Sequence, residues 1–121
     1  MDKRVLIVDD SVTMRDMVTY TLSNAGFTVF EADDGLNALD VLQNKSVDLV
    51  ITDINMPRLD GIGLIQKIRK TEAHAFLPIL CLTTETASDT KSDAKTAGAT
   101  GWLAKPFDPE TLVRAAMKVC L

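Results

Sequence analysis

Leu49-Val50-Ile51-Thr52-Asp53-Ile54-Asn55-Met56-Pro57-Arg58-Leu59-Asp60-Gly61 is the stretch on which the fold turns. Its first four residues are apolar almost throughout, as expected of a strand covered on both faces. Asp53 ends that strand. Asp60 then starts a helix whose Leu64, Ile65 and Ile68 fall one turn apart. A buried strand followed by an amphipathic helix is half of a parallel crossover unit.

The same alternation runs outward in both directions. Val5-Leu6-Ile7-Val8 is a first strand, after which Ser11 caps a helix with Met14, Met17, Val18 and Leu22 on its apolar face. Gly26 ends that helix. Phe27 to Ala32 forms a second strand, marked as an edge strand by its Thr and Glu. Leu36 to Gln43 is a short helix with Leu39 and Leu42 inward. Pro78 opens a fourth strand, and Trp102-Leu103-Ala104 is the fifth. The last helix has Asp108 as its N-cap and Pro109 at its first position, with Leu112, Val113, Ala116 and Val119 on its inner face. The helix between Ala87 and Ala97 has only Ala87, Ala94 and Ala97 as apolar residues. It buries little and is expected to be held less tightly than its neighbours. Five such units imply an α/β protein with a doubly wound five-stranded parallel sheet, right-handed crossovers and flavodoxin-like order 2-1-3-4-5. With no repeats or linkers, residues 1–121 are expected to form one domain.

Composition excludes several classes. The chain has 121 residues, 46% of them hydrophobic, which suits one core. No apolar run approaches the ~18 residues of a membrane span, and Val5 to Val8 is too short for a signal-peptide core. A cytoplasmic protein without membrane insertion is expected. A net charge of −4 argues against nucleic acid as a direct ligand. Cys81 and Cys120 lack CxxC spacing, and Cys81 sits in an apolar run as a buried thiol would. His74 has no neighbours that suggest a ligand role.

In open parallel sheets, ligands bind beyond the carboxyl ends of the strands. Strand one ends in Asp9-Asp10, strand three in Asp53, strand four in Thr83 and strand five in Lys105. The fold would bring these groups to one edge. Two carboxylates 4–5 Å apart at an effective dielectric near 20 repel by roughly 3–4 kcal/mol. One ammonium does not balance three acids, so a hard divalent cation such as Mg²⁺ is expected. A metal, a carboxylate and a lysine together suit phosphoryl transfer to the carboxylate, giving an aspartyl phosphate.

Four segments carry a resemblance: Val8-Asp9-Asp10-Ser11, then Asp53 through Gly61, then Leu82-Thr83-Thr84, then Lys105-Pro106-Phe107. In this order they resemble the receiver domain of bacterial two-component response regulators, from about Arg4 to Lys118. The start of the chain is similar to the stand-alone chemotaxis regulators of the CheY type, and the single helix after Lys105 leaves no room for an output domain. The resemblance implies that Asp53 is the phosphoacceptor. It places Mg²⁺ on Asp10, Asp53 and the Asn55 carbonyl, with Asp9 helping through water. It further implies that Lys105 contacts the phosphoryl group, that Lys105–Pro106 is cis, and that Thr83 and Trp102 form a switch pair. Asn55 and Glu85 would tune the lifetime of the acyl phosphate. The implied partners are a histidine kinase and a flagellar motor switch protein on the face of the fourth helix, fifth strand and fifth helix, with a phosphatase as a further candidate. Two positions depart from the usual pattern. Trp102 stands where Tyr or Phe is common, and Thr84 where Ala is common.

Other readings stand beside this one. Asp9-Asp10 taken alone is equally a capping cluster, and a plain core aromatic is the lesser alternative for Trp102. Lys91 and Lys95 lie four apart. With Trp102 and Lys118 they form either a basic, aromatic docking patch or a solvated lysine face. An aspartyl-nucleophile phosphatase needs a second acid two residues after Asp53, where Asn55 stands. A flavin- or nucleotide-binding domain needs a phosphate loop after strand one, where Asp9-Asp10 would repel phosphate. Within the receiver class, a motor-driving role and a phosphate-sink or phosphorelay-shuttle role use the same pocket.

Overall fold

The computed structural model describes residues 3–84 and 88–120. Five parallel strands form one sheet in the order β2-β1-β3-β4-β5, as the sequence implies. They are β1 (Arg4–Val8), β2 (Thr28–Ala32), β3 (Leu49–Asp53), β4 (Ile79–Thr83) and β5 (Gly101–Ala104). The helices are α1 (Val12–Asn24), α2 (Gly35–Asn44), α3 (Gly61–Lys70), α4 (Ser88–Ala97) and α5 (Pro109–Val119). A 3₁₀ turn at Glu72–His74, which the sequence does not signal, precedes β4. The register pairs Val8 with Thr52, Asp53 with Leu82 and Thr83 with Ala104, so the strand ends line one edge.

Alternation along the strands divides the core in two. Leu6, Val8 and Val50 pack on one face with Leu64, Ile65 and Ile68 of α3, Leu42 of α2 and Ala94 of α4. Val5, Ile7 and Ile51 pack on the other with Val18 and Leu22 of α1 and Leu112 and Ala116 of α5. Met14, Met17, Val113 and Val119 lie half-buried against that second cluster, on the faces their spacing assigns. Of the described α4 side chains only Ala94 is fully buried. Ala87 lies outside the described residues. No helix among the described residues is long and apolar enough to cross a membrane.

The caps follow the sequence. Ser11, Asp60 and Asp108 accept from Met14, Gly63 and Thr111 backbone N–H groups, and Asp34, not singled out by the sequence, caps α2 through Asn37. Helix α1 ends in a Schellman motif: Phe27 N–H donates to Leu22 O and Gly26 N–H to Ser23 O, with Gly26 at φ 100°. Helix α4 ends the same way at Gly98, φ 115°, where Ala99 N–H donates to Ala94 O. The Arg69 side chain covers Gly98, and its guanidinium donates to Gly98 O at 2.9 Å and His74 O at 3.1 Å.

Candidate functional site

The acids converge as their strand-end positions require. One carboxylate oxygen each from Asp9, Asp10 and Asp53 lies within 4.8 Å of the others. Asp9, at 1% exposure, is buried; Asp10 is exposed and Asp53 intermediate. The Lys105 Nζ reaches Asp53 Oδ1 at 3.2 Å and Asp9 Oδ2 at 3.8 Å. A backbone hydrogen bond helps to aim that lysine. Lys105 N–H donates to Thr83 O at 2.8 Å, continuing the β4–β5 ladder past its end, and the Lys105–Pro106 bond is cis.

Two of the acids are oriented by backbone. Asp53 Oδ1 accepts from Ile54 N–H at 2.9 Å and Asp9 Oδ1 from Ser11 N–H at 2.9 Å. Arg15, unremarkable in the sequence, proves a support of the site. It donates to Asp9 O at 2.7 Å and pairs with Glu31 at 3.1 Å, tying α1 and β2 to the end of β1. Gly61 lets the chain pass close to Asp53. A Cβ there would sit 2.3 Å from Asp53 O and 2.8 Å from Ile54 Cα.

Burial, above all, pushes the Asp9 carboxyl up from its usual value. The Ser11 N–H opposes this, Asp53 adds to it, Lys105 opposes it and Asp10 adds to it. Among the described residues Asp9 Oδ2 is buried with no hydrogen-bond partner and only the Lys105 ammonium at 3.8 Å. With two further carboxylates beside it, it makes a set of hard donors that fits a divalent cation such as Mg²⁺.

The remaining residues singled out by the sequence spread around this centre. Thr83, buried, ends β4 next to β3. Asn55 is exposed in the loop after Asp53. Glu85 lies outside the described residues. Trp102 is not core: it is 41% exposed on edge strand β5, and the Lys91 Nζ lies 5.8 Å from its ring centroid. Lys95 and Lys118 are exposed, and Lys91 is the lysine that sits over the ring.

The loop from Ile54 to Asp60 is pinned at both ends. Gly61 N–H donates to Ile54 O at 2.8 Å at its base. At its tip Leu59 N–H donates to Pro57 O at 2.8 Å, a γ-turn centred on Arg58, which sits at φ 65°. For a residue other than glycine this is a strained conformation, costing on the order of 1–3 kcal/mol. Arg58 Nε donates to the buried Asp34 Oδ2 at 2.5 Å, and Gly35 N–H donates to Leu59 O at 3.2 Å. The Arg58 guanidinium, helped by the Asn37 N–H, holds the Asp34 carboxyl below its usual range.

The family model for the response regulator receiver domain matches residues 5–117. The chain belongs to that family. Over 117 residues it is 42% identical to the chemotaxis protein CheY-3 of Vibrio cholerae, covering 96% of this chain and 90% of that one. It is 39% identical to the chemotaxis protein CheY of Pseudomonas aeruginosa, covering 96% and 94%. Among solved structures, the chemotaxis response regulator CheY4 of Vibrio cholerae superposes with a TM-score of 0.94 at 44% identity, covering 98% and 99%. A putative response regulator from Chloroflexus aurantiacus gives 0.95 at 34%, covering 99% and 98%. The receiver is thus of the CheY-like chemotaxis type, a signalling protein rather than an enzyme with a separate substrate. Its acidic cluster lies where receivers bind Mg²⁺.

Proposed function

We propose that the receiver takes a phosphoryl group on Asp53 from a histidine kinase and thereby switches its affinity for a target, a flagellar motor switch protein. The observation that carries this reading is the single pocket of Asp9, Asp10 and Asp53 bridged by Lys105. Among the described residues, Ile54 N–H and the Lys105 ammonium both meet the Asp53 carboxylate at Oδ1. In the transfer, the other oxygen forms a bond to phosphorus as the phosphorus–nitrogen bond of the kinase phosphohistidine breaks. Lys105 stabilises negative charge on the phosphoryl oxygens. Asp9, Asp10, Asp53 and the Asn55 carbonyl would hold Mg²⁺, which supplies further charge neutralisation there. No separate general acid is required, which fits Asn55 standing where a phosphatase of this design would need an acid.

The switch reading assigns Thr83 to follow the phosphoryl group and Trp102 to turn inward on strand β5. Asn55 and Glu85 set the lifetime, with or without a partner phosphatase. Residues 1–121 act as one receiver domain in the cytoplasm. Support for an inward turn comes from the exposed ring of Trp102, which leaves it a distance to travel. A target bound on the α4–β5–α5 face would sense that movement, since Lys91 and Trp102 both lie there. Two states differing in target affinity by a few kcal/mol suffice.

The test pairs labelling with capture. Wild-type protein should incorporate label from acetyl phosphate with Mg²⁺, and Asp53→Asn should not; full labelling of the variant overturns the assignment. Immobilised wild-type protein should retain a motor switch protein only with beryllofluoride, an acyl phosphate mimic. Equal retention without it removes the motor role and leaves the receiver as a phosphate sink or relay shuttle.

A further inference from the structure

We infer that Arg58 and Asp34 form a clasp that positions the β3–α3 loop for metal binding, so that these two residues set Mg²⁺ affinity without touching the metal. The inference rests on the pocket reading given above. Asn55, whose carbonyl belongs to that reading, lies in a loop whose path is fixed by four contacts. Two are at its base, where Ile54 N–H donates to Asp53 and Gly61 N–H to Ile54 O. The other two are at its tip, where Arg58 pairs with Asp34 and Gly35 N–H donates to Leu59 O.

The tip contacts are built for closeness rather than added at the surface. A Cβ on Gly35 would sit 2.5 Å from Leu59 O, so only glycine lets the α2 start meet this loop. Asp34 is 8% exposed and is held from two sides, by Arg58 on Oδ2 and by Asn37 N–H on Oδ1. Arg58 adopts a positive φ that an arginine rarely takes, and the turn it makes aims its guanidinium back at Asp34. A strained residue persists only where its surroundings hold it. Releasing the guanidinium removes the one side-chain tie on the turn and leaves only the Leu59 and Gly35 backbone hydrogen bonds, so the segment carrying Asn55 gains room to relax away from Asp53. The Arg58 end of the pair is 56% exposed, so solvent screens the contribution of the pair to overall stability. The clasp should therefore act on the local geometry of the pocket more than on the fold.

Mg²⁺ titration calorimetry on folded protein reads this directly, with thermal melting alongside. Arg58→Ala and Asp34→Asn should each weaken Mg²⁺ binding about three- to tenfold, and Asn at position 34 keeps an acceptor for the α2 cap. The double variant should be no weaker than the weaker single, because both remove one shared contact. Arg58→Gly should weaken binding as well: it relieves φ but lacks the guanidinium. Arg58→Lys should restore part of the affinity. Should Asp34→Asn fail to fold, the three Arg58 variants decide the matter. Mg²⁺ binding within twofold of wild type in the Arg58 variants overturns the clasp while leaving the pocket intact. No Mg²⁺ binding by wild-type protein overturns the pocket reading, and the clasp with it.

Discussion

Gly61 shows how a single missing atom sets the site. The α3 start runs so close to the Asp53 carbonyl that any Cβ collides with backbone rather than with a side chain that could turn away. Gly61→Ala should therefore cost about 1–3 kcal/mol of stability or more, by the usual cost of overpacking. Urea unfolding measures this, and acetyl phosphate labelling of the same variant should slow as Asp53 shifts. An unchanged urea midpoint would show that α3 can retreat without penalty. At this scale the sequence is legible where a residue ends a strand. Asp9, Asp10, Asp53, Thr83 and Lys105 each follow an apolar run directly, so their convergence needs only the parallel topology. Arg15 and Arg58 were not legible. Their partners, Asp9 O and Asp34, lie on other segments, and nothing in local spacing distinguishes these arginines from solvated ones.

At the scale of elements, strands read better than connections. Buried strands carry continuous apolar runs, and Asp60 and Asp108 announce their helices by capping chemistry, so β3, β4, α3 and α5 follow from sequence. The 3₁₀ turn at Glu72–His74 buries no side chain, and without a buried face it leaves no periodic signal. Helix α2 carries a pH dependence through its cap. The Asp34 carboxyl lies below its usual range chiefly because Arg58 donates to it. Its folded pKa is thus depressed, so the stability it confers is present above the unfolded value near 3.8 and is lost as pH falls through the lowered folded value. Wild type should accordingly be more stable than Asp34→Asn at pH 6, with the difference shrinking steadily below pH ~4. Urea midpoints across that range check it; a difference constant to pH 2 would mean the carboxylate charge plays no part.

At the scale of the whole molecule, β4 lies between the central strand β3 and the edge strand β5 and is buried along its full length. Burial pushes the Cys81 thiol on that strand up to about 12. Cys81 should then react with an aromatic disulfide reagent at pH 8 only through openings that unfold the sheet, so its rate should rise with urea in step with global unfolding. Rapid reaction in the native protein would show instead that the β4–β5 side opens by itself. Arg69 adds a mechanical consequence. It fastens the last turn of α4 to α3 and to the turn before β4, through Gly98 O and His74 O. The opposite end of α4 lies on the side of the sheet edge that carries Thr83. In the proposed switch, this arginine would be a fulcrum: it would hold the Gly98 end of α4 in place and leave the travel to the first turn.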